Sequence, residues 1–87
     1  MKYPSLFESM QLGAVEIPNR ILMAPLTRSR ASEGHIPNDM MAEYYSQRAS
    51  GGLLIAEATM VMEGNSAFIS EPGIYSDDQV EGWKKVT

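Results

Sequence analysis

The sequence has no cysteine, one histidine and one tryptophan among its 87 residues. Without cysteine there is neither a disulfide framework nor a thiolate metal site. Basic residues are also few, seven against eleven acidic ones, and the formal charge is −4. With no block of Lys and Arg, nothing marks a nucleic-acid-binding surface. The opening residues Met1-Lys2-Tyr3-Pro4-Ser5 lead into no apolar h-region, so no signal peptide is expected. No apolar run approaches the roughly 20 residues that a membrane-spanning helix needs. The length supports one small domain with a modest core. A cytoplasmic α/β chain is expected.

What is present is organised around Ile21-Leu22-Met23-Ala24-Pro25-Leu26-Thr27-Arg28-Ser29-Arg30. Ile21 to Ala24 is too short for a helix and apolar on both faces, the pattern of a strand covered on both sides in a parallel sheet. Pro25 cannot donate to a ladder and fits the end of such a strand. Parallel α/β folds bind ligands beyond the carboxyl ends of their strands, which singles out Leu26 and Thr27. Ahead of this strand, Met10-Gln11-Leu12 and Val15-Glu16-Ile17 alternate around Gly13-Ala14, predicting a β-hairpin over about 8–18.

After a polar loop, Asn38 has the chemistry of a helix N-cap, with Asp39 favourable to the dipole. Met41, Tyr44, Tyr45, Arg48 and Ala49 recur at helical spacing, and Gly51-Gly52 predicts a C-terminal stop. Leu53 to Ala56 is a second buried-strand candidate, followed by Glu57-Ala58-Thr59. Met60 to Tyr75 is a long loop of the kind that is usually functional in a compact domain. Ser76-Asp77-Asp78-Gln79 forms a capping box, and Val80, Trp83, Lys84 and Val86 carry a helix on to Thr87, where no C-cap is visible. A first βα unit over about 20–51 and a second over about 53–87 are therefore expected, the second cut inside its helix. Two parallel strands leave open edges on a sheet that needs neighbours. Continuation of the pattern would close a (β/α)8 barrel.

The set Pro18-Asn19-Arg20, Met23-Ala24-Pro25-Leu26-Thr27-Arg28, Glu43-Tyr44-Tyr45, Gln47-Arg48-Ala49, Gly52-Leu53, Glu57-Ala58-Thr59 and Gly82-Trp83-Lys84 closely resembles the amino-terminal part of the Old Yellow Enzyme family. Its branch of bacterial N-ethylmaleimide and pentaerythritol tetranitrate reductases is the most similar. The resemblance implies an FMN-containing (β/α)8 barrel that takes a hydride from NAD(P)H and reduces activated alkenes: enones, maleimides and nitro compounds. It implies that Ala24, Pro25, Leu26 and Thr27 line the flavin, with Thr27 near the C4 carbonyl, and that Ala58 approaches the ring edge through its backbone. Phe68 falls where the family places an aromatic residue, often tyrosine, at the substrate mouth. The family's remaining flavin, substrate and proton-donating residues have no counterpart in these 87 positions. The segment alone is expected to be catalytically silent unless a complementing chain supplies the rest of the barrel.

Other residues carry blander readings. Glu57 suits a structural partner of a nearby arginine, and Arg28 and Arg30 suit ion pairing around loops. His35 is expected at the surface, having no second metal ligand in range. Met40, Met41, Met60 and Met62 read as core filler, and Tyr44, Tyr45 and Trp83 as helix faces packed on a sheet. Two alternatives stay open: a stand-alone non-catalytic α/β module, and part of another FMN barrel such as a dienoyl-CoA reductase-like enzyme.

Overall fold

The computed structural model describes residues 2–87. A 3-10 turn at Pro4–Phe7 leads into a hairpin of β1 (Met10–Leu12) and β2 (Val15–Ile17). They pair antiparallel, Met10 with Ile17 and Leu12 with Val15. Gly13 has φ +61° while Ala14 stays at negative φ. A two-residue loop of type II′ makes that demand, with glycine at its first central position. Of the hairpin's six strand residues only Ile17 is buried.

The expected parallel pair is formed by β3 (Leu22–Met23) and β4 (Leu53–Leu54), with Leu22 opposite Leu53 and Met23 opposite Leu54. Bonds from the Gly52 amide to the Ile21 carbonyl (2.7 Å) and from the Ile55 amide to the Met23 carbonyl (3.1 Å) extend the ladder at both ends. Asn19 sets the register from outside: its Oδ1 accepts from the Ile21 amide at 3.0 Å, and its Nδ2 donates to the Ser50 carbonyl at 2.8 Å. The two strands are not covered on both faces, contrary to the sequence pattern. Ile21, Leu22 and Ile55 are 43%, 47% and 41% exposed. Burial of a parallel strand is supplied by its neighbours, and a two-stranded sheet has too few.

Helix α1 (Asp39–Ser46) begins where expected, Asn38 accepting from the Met41 amide at 3.0 Å. It ends sooner than the periodicity implied. Arg48 and Ala49 lie in tighter turns, their amides bonding the carbonyls of Tyr45 and Ser46. Gly51 and Gly52 do not act as a left-handed C-cap, since neither has positive φ. Gly52 is required for a different reason: a Cβ there would collide with the Asn19 main-chain carbonyl.

Helix α2 (Asp77–Val86) carries the capping box in full, Ser76 and Gln79 each bonding the other's backbone amide. Its inner face meets loops and α1 rather than the sheet. Gly82 sits against the Pro37 carbonyl, so that no larger residue fits. Trp83 Nε1 donates to the Gly73 carbonyl at 2.9 Å. Tyr44 does face the strands, sharing a groove with Leu22 and Leu54. The apolar core is Ile17, Met41, Tyr45 and Met60, with Pro37 and Pro72 buried too. Met40 and Met62 are 60% and 59% exposed, so only two of the four methionines read as filler serve that role.

Candidate functional site

Because β3 and β4 run parallel, the residues after them emerge on one side: Ala24-Pro25-Leu26-Thr27 from the first, Glu57-Ala58-Thr59 from the second. Ala24, Pro25, Leu26 and Ala58 are exposed, and Thr27 is half-buried. The two threonines differ. Thr59 Oγ1 donates to the Glu57 carbonyl at 2.9 Å. Thr27 Oγ1 has no protein partner among the described residues, nor is it a buried orphan. It is an accessible hydroxyl.

The two strand-end turns are tied together beneath this surface. The Glu57 side chain is buried, 4% exposed. Its Oε1 accepts from the Arg28 main-chain amide across a long 3.4 Å. Its Oε2 accepts from the Tyr45 hydroxyl at 2.8 Å, and that hydroxyl in turn accepts from the Glu57 amide at 3.1 Å. The Tyr45 hydroxyl is pushed up to about 12, mainly by burial, with the Glu57 carboxylate adding to the cost of a second negative charge. Thr27 and Ala58 each lie next to a residue of this network.

The arginine partner expected for Glu57 is therefore a tyrosine and a backbone amide. Neither Arg28 nor Arg30 forms an ion pair among the described residues. Arg30 Nη1 instead donates to the carbonyls of Arg28 (3.1 Å) and Ser29 (3.2 Å), stiffening the loop where Ser29 takes φ +56°. Both arginines line an open cavity of about 230 Å³ with Met40, Met41, Tyr44 and Glu57. The Tyr45–Glu57 pair gave no signal in the sequence, since the two residues stand 12 positions apart and share no periodicity.

Phe68 lies in the 60–75 loop and is 52% exposed. No hydrogen bond among the described residues joins it to the strand-end group. The loop has its own anchor in Glu71, whose buried carboxylate accepts from the Ala67 amide at 2.8 Å and the Phe68 amide at 3.4 Å. His35 is only partly at the surface. It is half-buried with φ +58°, and its Nδ1 donates to the Glu71 carbonyl at 2.6 Å, which puts the ring proton on Nδ1. A hydrogen bond from Ala31 to the Ser70 carbonyl (3.1 Å) completes the seam between the two long loops.

The Ser66 hydroxyl, followed by the Ala67 and Phe68 amides, holds the Glu71 carboxyl below its usual value near 4.5, against the opposing effect of burial. A depressed folded value means that the unfolded chain takes up the proton first, so this contribution is complete above the usual carboxylate range and is lost as pH falls through the folded value. Amide exchange at Ala67 and Phe68, corrected for intrinsic rates, is expected to accelerate as pH drops below about 4.5. In Glu71→Gln that acid-induced step should be absent; a step of equal size would assign it to another group.

Exposed Ala24, Pro25, Leu26 and Ala58, and a hydroxyl without a protein partner among the described residues, follow the carboxyl ends of two paired parallel strands, the end at which barrel folds bind their ligands. The chain belongs to the NADH:flavin oxidoreductase / NADH oxidase family, whose model matches residues 5–87. It is 48% identical over 82 residues to a probable flavin mononucleotide-dependent alkene reductase of Leishmania infantum, covering 94% of this chain and 22% of that protein. It superposes on the old yellow enzyme from Trypanosoma cruzi with a TM-score of 0.94 and 50% identity, over 99% of this chain and 23% of that one. Morphinone reductase, solved in complex with tetrahydroNAD, matches at a TM-score of 0.89 and 47% identity, over 95% of this chain and 22% of that one. The hairpin and the two βα units are thus an incomplete part of the Old Yellow Enzyme barrel, and the chain spans less than a quarter of these relatives.

Proposed function

We propose that this segment forms one side of the FMN site of a cytoplasmic, NAD(P)H-dependent ene-reductase acting on activated alkenes such as enones, maleimides and nitro compounds. The observation that carries the reading is the Thr27 hydroxyl, accessible and without a protein partner among the described residues, which follows the same end of the parallel pair as exposed Ala24 and Ala58. These residues suit a flavin: the alanines let a flat ring approach the backbone, and a hydroxyl polarises a ring carbonyl without adding charge. Ala24, Pro25, Leu26, Thr27 and Ala58 would hold the group. Bound FMN would supply the hydride chemistry, accepting from NAD(P)H and delivering to the alkene. The chain's own part is placement, hydrogen bonding and exclusion of water. Phe68 would offer an apolar wall at the substrate mouth and, lacking a hydroxyl, no proton.

Exposed Ile21, Leu22 and Ile55 along the two-stranded sheet, and Leu26 in the turn after it, support a need for the rest of the barrel, here or on a complementing chain. Native mass spectrometry combined with NADPH-dependent reduction of 2-cyclohexenone tests this. The 9.6 kDa chain alone is expected to be flavin-free and inactive, and an assembly with the remaining barrel is expected to carry FMN and turn over. Activity in the bare chain, or a completed assembly that carries no FMN, would overturn the proposal.

A further inference from the structure

The buried Glu57 carboxylate forms no ion pair among the described residues, and its partners are the Tyr45 hydroxyl and the Arg28 amide. Removing a carboxylate from water costs several kcal/mol, which an alternative apolar residue would avoid. What this carboxylate does is geometric. Tyr45 belongs to α1, Glu57 to the turn after β4, and Arg28 to the turn after β3. One hydroxyl and one carboxylate thus join three elements at the point where Thr27 and Ala58 are presented. Tyr45 grips the second turn twice, by donating to the Glu57 carboxylate at 2.8 Å and accepting from the Glu57 amide at 3.1 Å. Glu57 then reaches the first turn at the residue that follows Thr27.

We propose that Tyr45 and Glu57 are positioning residues that fix the Thr27 hydroxyl relative to Ala58, and through Thr27 raise the electron affinity of the bound flavin. The proposal rests on the flavin reading above. A hydroxyl held against a ring carbonyl favours the reduced, more electron-rich ring, and a preorganised donor contributes more than one that must first be ordered. Both side chains are buried, Tyr45 at 5% and Glu57 at 4% exposure, so the proposed effect on the flavin passes through Thr27.

A double-mutant cycle separates this role from general stability. The midpoint potential of FMN is measured spectroelectrochemically in the flavin-loaded protein containing this segment, for Thr27→Ala, Tyr45→Phe and the combined variant. Tyr45→Phe keeps the packed ring and deletes only the hydroxyl. Both single variants are expected to shift the potential to more negative values, and the combined variant no further than Thr27→Ala alone. Glu57→Ala is expected to behave like Tyr45→Phe, and Glu57→Gln, which retains an acceptor for the Arg28 amide, to recover most of the shift. In flavin-free protein, exchange of the Arg28 amide is expected to accelerate at least tenfold in Tyr45→Phe. An equal Tyr45→Phe shift with and without Thr27, or unchanged Arg28 exchange, would overturn the positioning role while leaving the flavin reading standing. A Thr27→Ala variant with an unshifted potential would overturn the flavin reading, and the proposal with it.

Discussion

Gly52→Ala is expected to cost about 3 kcal/mol or more, at the upper end of what overpacking one methyl does. Its Cβ would land on the Asn19 carbonyl, a main-chain atom that cannot rotate away like the end of a flexible side chain. Relief requires separating residues 19 and 52, and two bonds oppose that: Gly52 amide to Ile21 carbonyl and Asn19 Nδ2 to Ser50 carbonyl. Those bonds set the register of β3 against β4, and with it the alignment of the two turns that follow. The variant should show a lower urea midpoint at an unchanged slope, together with weaker FMN binding in the assembled protein. Wild-type stability in Gly52→Ala would mean that the close approach at Asn19 relaxes freely.

The second large effect is expected at Gln79, which is 1% exposed. Its Oε1 accepts from the amides of Tyr75 (2.8 Å) and Ser76 (3.1 Å), and its Nε2 donates to the Gly34 carbonyl at 3.0 Å. One side chain thereby satisfies the approach to α2 and anchors the 28–37 loop. Gln79→Leu fills much the same volume but leaves these polar groups without a partner, each such loss costing about 1–3 kcal/mol. A net loss of about 3 kcal/mol is expected, as some of the groups will find water. Gln79→Glu retains the acceptor for both amides and loses only the donor to the Gly34 carbonyl, so it should destabilise less than Gln79→Leu. Urea midpoints of both variants check this; a loss for Glu as large as for Leu would contradict it.

What was legible in the sequence was local chemistry. The Asn38 cap, the Ser76–Gln79 capping box and the Gly13-Ala14 hairpin loop each depend on residues within a few positions, and each is found where expected. The positions of β3 and β4 were also visible, because apolar runs bounded by Pro25 and by Gly51-Gly52 leave little choice. Their burial was not, since it depends on neighbouring strands rather than on the strand itself. Gly52 was recognisable as an obligatory glycine, but not for the right reason: a helix stop and a close backbone approach look alike until Asn19 is placed beside it. His35 and Glu57 went astray for a related cause. Both are polar residues whose partners, the Glu71 carbonyl and the Tyr45 hydroxyl, lie far along the chain. That Thr27 and Ala58 follow the same end of the sheet needed the parallel register, which the two apolar runs implied without fixing residue against residue.

The bonds that seat α2 and join the two long loops have a kinetic consequence. Gln79 to Gly34 spans 45 positions and His35 to Glu71 spans 36. Loop-closure entropy grows only as the logarithm of such spans, but it must be met before any of these contacts gives a return. The hairpin and the first turns of both helices, assembled from neighbours in sequence, can form on the microsecond scale of local structure. The seam from His35 to Glu71 and from Gly34 to Gln79 is held back until distant parts of the chain meet, and it then closes cooperatively. The pairing of β3 with β4 is long-range too, Asn19 to Ser50 spanning 31 positions and Arg28 to Glu57 spanning 29, so sheet and seam alike wait for distant parts of the chain to meet.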